Sequence, residues 1–147
     1  MNMGFYTTTR IITATKSQLD AMCYAQEDFV NILDNKTTQD SIIRNTFASY
    51  GGAVIPLVFA VSTVASVALG VISLIGSLNA AELLQGITDA KEGHRQLLKT
   101  YRTMVNFNAI QVNMTLTVNK ERPGSELAYI KAVNVNWIML PDGTKLM

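Results

Sequence analysis

The chain has 147 residues, of which 48% are hydrophobic and 16% are charged, and its formal net charge is +1. The length suits one domain (1–147), and the hydrophobicity excludes an intrinsically disordered chain, which needs few apolar residues and a high net charge. The near-neutral charge argues against nucleic-acid binding through a basic surface, and the single cysteine excludes an intrachain disulfide and any multi-cysteine zinc site.

The N-terminal region, 1–50, predicts a short strand followed by two helices. Residues 5–14 are rich in threonine, isoleucine and aromatic side chains and have no helical period, which favours a strand. The sequence SQLD at 17–20 matches a helix-capping pattern, and apolar residues follow it at three- and four-residue spacing. We therefore predict an amphipathic helix over about 17–34 and a shorter helix over 41–50.

The next region, 51–80, is the most apolar part of the chain. No Lys, Arg, Asp or Glu occurs between Arg44 and Glu82, and the polar side chains of 51–78 are all hydroxyls. A helix over 51–78 would be about 42 Å long, more than the roughly 30 Å hydrocarbon core of a bilayer. This predicts a transmembrane-type helix. A helix buried in a protein core, within one chain or between copies, is the alternative that the sequence leaves open.

Small side chains recur at four-residue spacing inside this apolar region. Such a series lets two helices approach closely, which favours helix association in lipid. The predicted membrane helix packing residues are Ser62, Ser66, Gly70, Ser73, Gly76 and Ser77.

The region 81–106 predicts an amphipathic helix with a heptad seam, because its apolar residues are separated alternately by four and three positions. The seam consists of Leu83, Ile87, Ala90, His94, Leu97, Tyr101 and Met104. The same spacing extends backwards into the apolar region, so the pattern is compatible with one continuous helix from about 54 to 105. We expect the seam to pack against the helix 17–34.

In the last region, 109–147, the hydrophobic period changes to two. Two alternating segments flank a turn at 120–126 and predict an antiparallel β-hairpin with one apolar face and one face of Asn, Gln and Thr. The second segment is interrupted by Lys131. The predicted fold class is therefore α+β: N-terminal amphipathic helices, a long apolar helix that continues into a heptad helix, and a C-terminal β-hairpin.

Catalytic chemistry has little support in this sequence. The only histidine, His94, lies on the heptad seam, and Cys23 lies on the apolar face of the first helix, so we expect both to be packed side chains. The chain has no phosphate-binding loop, zinc-protease motif or nucleophile elbow. We predict a protein that is not an enzyme, has no cofactor or metal site, and has no evident small-molecule substrate.

The apolar region predicts the function: a membrane-inserting, self-associating protein that forms pores or otherwise permeabilises a bilayer. Its expected partners are membrane lipid and further copies of itself. The order of its helices resembles in outline the helical pore-forming toxins. Residues 1–20 contain no signal peptide, so the expected membrane location, permanent or triggered, depends on the internal segment. The alternative is a structural subunit of a filament, tube or particle, whose apolar helix is buried by neighbouring copies.

Overall fold

The computed structural model describes residues 5–35, 39–50, 54–59, 63–77, 80–103, 107–119 and 127–146. Over these ranges the chain forms five helices and a four-stranded antiparallel sheet, which confirms the predicted α+β class. In chain order the elements are β1 (Phe5–Thr15), α1 (Lys16–Asp34), α2 (Asp40–Ala48), α3 (Ile55–Phe59), α4 (Val64–Ser77), α5 (Ala80–Thr103), β2 (Ala109–Asn119), β3 (Leu127–Met139) and β4 (Lys145–Leu146).

The sheet is larger than the predicted hairpin. Strands β2 and β3 pair as expected, but β1 also pairs with β2 along its whole length, from Phe5 opposite Asn119 to Thr15 opposite Ala109. The short strand β4 adds to the other side, so the order is β1-β2-β3-β4. The two-stranded hairpin was therefore an incomplete prediction, because five helices separate β1 from its partner and no local pattern reports that pairing.

Two bulges shape the pairing of β2 with β3. Lys131 and Asn136 have no opposite residue on β2, since the register shifts between Thr115 and Leu116 and again between Gln111 and Val112. A bulge inserts one extra residue and bends its strand. The first bulge explains why Lys131 interrupts the hydrophobic alternation of the sequence. On its N-terminal side, all four residues of 127–130 are buried.

Helix α1 confirms the helix predicted over 17–34, but its cap lies two residues earlier than the sequence pattern indicated. The hydroxyl of Thr15 accepts the N–H of Gln18 at 3.1 Å, and the Gln18 side chain accepts the N–H of Thr15 at 2.9 Å. The last residue of β1 is thus the first cap of α1, so strand and helix follow each other without a loop.

In the described part of the apolar region 51–80 lie two helices, α3 and α4, and α5 begins at Ala80. Helix α4 begins after Thr63, whose hydroxyl accepts the N–H of Ser66 at 3.1 Å as an N-cap does. The prediction of one continuous apolar helix is corrected by this cap, although 60–62 and 78–79 lie outside the described residues. None of the helices in the described ranges combines the length and the hydropathy needed to cross a membrane.

The hydrophobic core is built around an aromatic cluster that joins α1, α2, α3 and β3. The ring of Phe29 lies 4.9 Å from that of Tyr129 and 5.6 Å from that of Phe59, measured between centroids, and Phe47 contacts Phe59 at 5.4 Å. All four side chains are fully buried. Helix α4 adds a stripe at helical spacing to the same core, which consists of Val67, Val71 and Leu74.

Candidate functional site

Helix α5 approaches β3 more closely than side chains would normally allow. At Gly93 an added Cβ would lie 1.8 Å from the carbonyl oxygen of Ile130. The Gln26 amide of α1 donates to that same oxygen at 2.9 Å and to the carbonyl of Ala90 at 3.1 Å. Farther along β3, the N–H of Val133 donates to the side-chain oxygen of Gln96 at 2.7 Å. Side chains of two helices therefore satisfy backbone groups of β3.

We expect Gln26→Leu to lower the free energy of unfolding by about 1–3 kcal/mol, because the buried Ile130 carbonyl loses its side-chain donor. Gln26→Glu should cost more at neutral pH, since it turns a buried carboxylate toward that carbonyl. Burial raises the pKa of such a carboxyl in the folded state. The additional loss in free energy of unfolding is therefore largest at pH values above this folded-state pKa, and it decreases as the pH is lowered through it. Urea unfolding at several pH values measures both effects. A loss of stability in Gln26→Glu that does not change with pH would contradict the burial of this side chain against the Ile130 carbonyl.

A cavity of about 240 Å³ lies between the N-terminal half of α5 and one end of the sheet; we call it the α5–sheet cavity. Helix α5 contributes Gln85, Gly86 and Asp89, and the sheet contributes Thr117 and a few residues of the neighbouring strands. The full lining is Tyr6, Thr7, Gln85, Gly86, Asp89, Thr117, Tyr129 and Lys131. The close approach of α5 to β3 at Gly93 holds these two walls in place.

Polar groups in this cavity are partly fixed and partly unpaired. The Asp89 carboxylate accepts the Gln85 amide at 3.0 Å and lies 3.4 Å from the Thr117 hydroxyl. The Tyr129 hydroxyl is buried without a hydrogen-bond partner in the described part of the chain, and Gly86 leaves only enough room for it. Burial, with a contribution from the Asp89 charge, raises the pKa of Tyr129, so the hydroxyl keeps its proton and remains a donor.

A second concave surface, of about 290 Å³, lies between α1 and α5 and contains His94 and Cys23. His94 Nε2 is 3.9 Å from Glu27 Oε2, and both side chains are partly exposed to solvent. Burial, together with the charges of Asp20 and Glu27, raises the pKa of Cys23 to about 12. The thiol is therefore protonated at neutral pH and is a poor nucleophile. In the ranges that the structure describes, no three His, Cys, Asp or Glu side chains converge to hold a metal ion.

The seam residues lie along α5, which contacts both α1 and β3. Leu83, Ile87, Ala90 and Leu97 are buried, whereas His94 and Tyr101 are half-buried, and Met104 lies outside the described residues. From the sequence, the seam was expected to pack against α1 alone. The second partner, β3, was missed because a heptad pattern shows which face of a helix is buried and not what buries it.

Of the predicted packing residues, Ser66, Gly70, Ser73 and Gly76 lie on helix α4, and their exposure differs. Gly70 is buried, Ser66 and Ser73 are half-buried, and Gly76 is exposed. Ser62 lies outside the described residues, as does the side chain of Ser77. In the folded chain, the valine and leucine face of α4 makes the core contacts instead. Packing of the small residues between helices in lipid stays a prediction.

Sequence reasoning did not identify the α5–sheet cavity. Asp89 follows the charged pattern of an exposed helix face, and Tyr129 follows the apolar alternation of a strand. Lys131 was a usable signal, because a charge that interrupts a buried alternation needs a structural explanation such as a bulge. The role of Gly86, where α5 approaches the Tyr129 hydroxyl, is visible only in the packed structure of helix and sheet.

Comparisons with protein-family models, with curated proteins and with solved structures find no match to this chain. A function for this chain therefore has to be inferred from the geometry and chemistry of its own residues.

Proposed function

We propose that the protein is a non-enzymatic, self-associating structural subunit of a larger assembly, and that β1 supplies the contact between copies. The observation that carries the proposal is the position of β1 at the edge of the sheet, where β2 is its only strand partner among the described residues. An edge strand presents a row of unpaired N–H and C=O groups that another chain can pair with. At 11 residues, β1 is long for such an edge.

The composition of β1 suits association. Edge strands are usually protected from pairing by charged side chains, proline or a bulge. In β1 the only charged residue is Arg10, and its guanidinium donates to the carbonyl of Pro56 within the same chain. The exposed side chains of the strand include Thr7, Thr9, Thr13 and Ile11, and the last of these is 59% exposed.

A second copy of β1 fits this edge by two-fold symmetry. An antiparallel pair centred on Ile11 places Thr9 of each copy opposite Thr13 of the other, and Thr7 opposite Thr15. Arg10 then faces Ile12 rather than a second arginine, which avoids a like-charge pair. Threonine pairs and a central isoleucine pair are favourable cross-strand neighbours, and the two sheets become one continuous sheet.

The contacts of the apolar region weigh against membrane insertion from this conformation. Val58, Phe59, Val67, Val71 and Leu74 have no solvent exposure and belong to the same core as α1 and the sheet. A membrane-inserted state would have to remove these side chains from that core, at a cost of about 1.5–3 kcal/mol for each buried side chain before lipid contacts compensate.

Membrane insertion with pore formation remains the second candidate. It is supported by the uncharged stretch between Arg44 and Glu82 and by Leu69 of α4, which is 47% exposed. In this state α3 and α4 would leave the core and enter lipid, permanently or after a trigger, and the small residues of α4 would pack between helices.

Ile11→Lys should weaken self-association at least tenfold, because it places a charge at the centre of the paired strands. The matched control is Ile42→Lys on α2, whose side chain is similarly exposed at 52% and lies outside β1. Light scattering after size-exclusion chromatography, over a range of protein concentrations without detergent, measures the association. Equal weakening by both variants would contradict the β1 contact. A monomeric parent protein that releases dye from liposomes would instead support the membrane candidate.

A further inference from the structure

The two edges of the sheet differ in how far their backbone groups are already occupied. At the β3 edge, the buried Gln26 amide of α1 donates to the carbonyl of Ile130 at 2.9 Å. The N–H of Val133 donates to Gln96 Oε1 of α5 at 2.7 Å, and at Gly93 helix α5 lies against Ile130 without room for a side chain. Two helices thus hold backbone groups of β3 that an incoming strand would need.

The register of the sheet shows that these two groups point away from β2. Ile130 lies opposite Leu116, and Val133 lies opposite Met114. Leu116 and Met114 are two residues apart, so in an antiparallel ladder the backbone groups of their partners point to the same side. Since α1 and α5 hold the groups of Ile130 and Val133, that side is the one away from β2.

The rest of the β3 edge offers little room for a second strand. At one end, residues 127–130 are all buried, and at the other end Ile138 and Met139 pair with β4. Between these contacts lies the short stretch 134–137, which contains the bulge at Asn136. A bulge distorts an edge and protects it from pairing. In the described part of the chain, the β3 edge is therefore blocked.

The β1 edge is open over most of its length. The same alternation turns the backbone groups of Leu116 and Met114 toward β1, where they bond to Thr8 and Arg10. The residues between and beside Thr8 and Arg10 turn their backbone groups to the other side. These outward residues include Thr7, Thr9, Ile11 and Thr13, all with exposed side chains, and among the described residues no second strand pairs with them.

We propose that the β1 contact closes at two copies, so that a two-fold dimer is the unit of the proposed assembly. This inference rests on the proposed function, since it takes the contact through β1 as given. Two copies that meet at Ile11 each use the open edge of their sheet, and such an isologous contact closes. A head-to-tail contact, which would continue into a filament, needs β1 of one copy on β3 of the next. Helix side chains and β4 occupy that edge, so further copies have to add through a different surface.

The first test is the mass of the associated species. Light scattering on the full chain without detergent should find a first species of twice the 16.1 kDa of one chain, and larger species should be even multiples of it. Ile11→Lys should weaken the formation of the dimer at least tenfold. Growth through odd multiples that Ile11→Lys abolishes would keep the β1 contact and overturn its closure. A parent protein that stays monomeric would contradict the proposed function, and this inference with it.

Cross-linking tests the geometry of the dimer. Because its backbone groups point outward, Ile11 forms a hydrogen-bonded pair with its copy, with about 5.5 Å between Cα atoms, which a disulfide can span. Ile11→Cys should therefore link two chains under mild oxidation. The parent is the control, since its Cys23 is 4% exposed and should not link. A mixture of Thr9→Cys and Thr13→Cys proteins should also link, whereas Thr9→Cys alone should not, because Thr9 faces Thr13 of the other copy.

Head-to-tail addition has its own reporter. Val135 lies in the stretch of β3 between the Gln96 contact and β4, and it is 36% exposed. When Ile11→Cys and Val135→Cys proteins are oxidised together, we expect Ile11→Cys homodimers and at least tenfold less of the mixed product. A mixed product as abundant as the homodimer would show β1 paired with β3 of another copy and would overturn the proposal.

Discussion

Gly93→Ala is expected to lower the free energy of unfolding by about 3 kcal/mol, a large loss for a single added methyl group. The added Cβ would lie 1.8 Å from the Ile130 oxygen, 2.4 Å from the Ile130 carbonyl carbon and 3.1 Å from the Lys131 nitrogen. These are backbone atoms, which cannot move aside by a side-chain rotation. Helix α5 would have to separate from β3, and Gln26, which donates to Ala90 on α5 and to Ile130 on β3, could no longer reach both carbonyls. Denaturant unfolding followed by circular dichroism measures the loss.

Gly76→Ala provides the matched control on α4. Its Cβ would meet no atom within 4 Å, and the position is exposed. Alanine is favoured over glycine within a helix by about 1 kcal/mol, so this variant should be unchanged or slightly more stable than the parent. If both alanine variants unfolded at the same denaturant concentration, the close approach of α5 to β3 would not exist in solution.

Phe29→Ala is the second large effect, with an expected loss of about 3–5 kcal/mol. Its ring is fully buried and contacts the rings of Tyr129 and Phe59, so the substitution removes a side chain that joins α1 to β3 and α3. The two contacting rings come from two different elements, α3 and β3, which limits how far they can close the cavity left behind. The loss is measurable by the same denaturant unfolding.

Tyr24→Ala is the control for Phe29→Ala. It removes an aromatic ring from the same helix, but from an exposed position instead of the core. Tyr24 lies on the same helix and is 57% exposed. Its replacement should change the free energy of unfolding by less than about 1 kcal/mol, as exposed substitutions usually do. Losses of similar size for the two variants would contradict the proposed core.

The elements that the sequence predicted correctly are those with a strong local period. Helix α1 and the strands β2 and β3 each bury one face, and the spacing of apolar residues reports that burial directly. For the same reason the burial of Leu83 and Leu97 on α5 followed from the heptad spacing. The small shift of the α1 cap from 17–20 to Thr15 shows the limit of this method, because two capping patterns overlap there and only the backbone selects one.

The features that the sequence missed depend on contacts between distant parts of the chain. A threonine such as Thr63 can either cap the start of a new helix or lie inside a continuous one with its hydroxyl bonded to the backbone. In the structure it caps α4, and hydropathy does not distinguish the two cases. The α5–sheet cavity requires a strand, a bulge and a helix to meet, so no single segment shows it. Tyr129 looked like an ordinary strand residue for this reason, although its buried hydroxyl has no hydrogen-bond partner among the described residues.

The pairing of β1 with β2 also determines the order in which the chain folds. Thr15 meets Ala109 and Phe5 meets Asn119, so every contact of β1 in the sheet closes over all five helices. Contacts between residues so far apart in sequence form slowly, because the entropy of closing the loop is lost before any pairing compensates for it. During synthesis on the ribosome, β1 emerges well before its partner strand. The edge proposed to join mature copies is thus unpaired on both sides in the nascent chain, where premature contact between neighbouring chains would compete with folding.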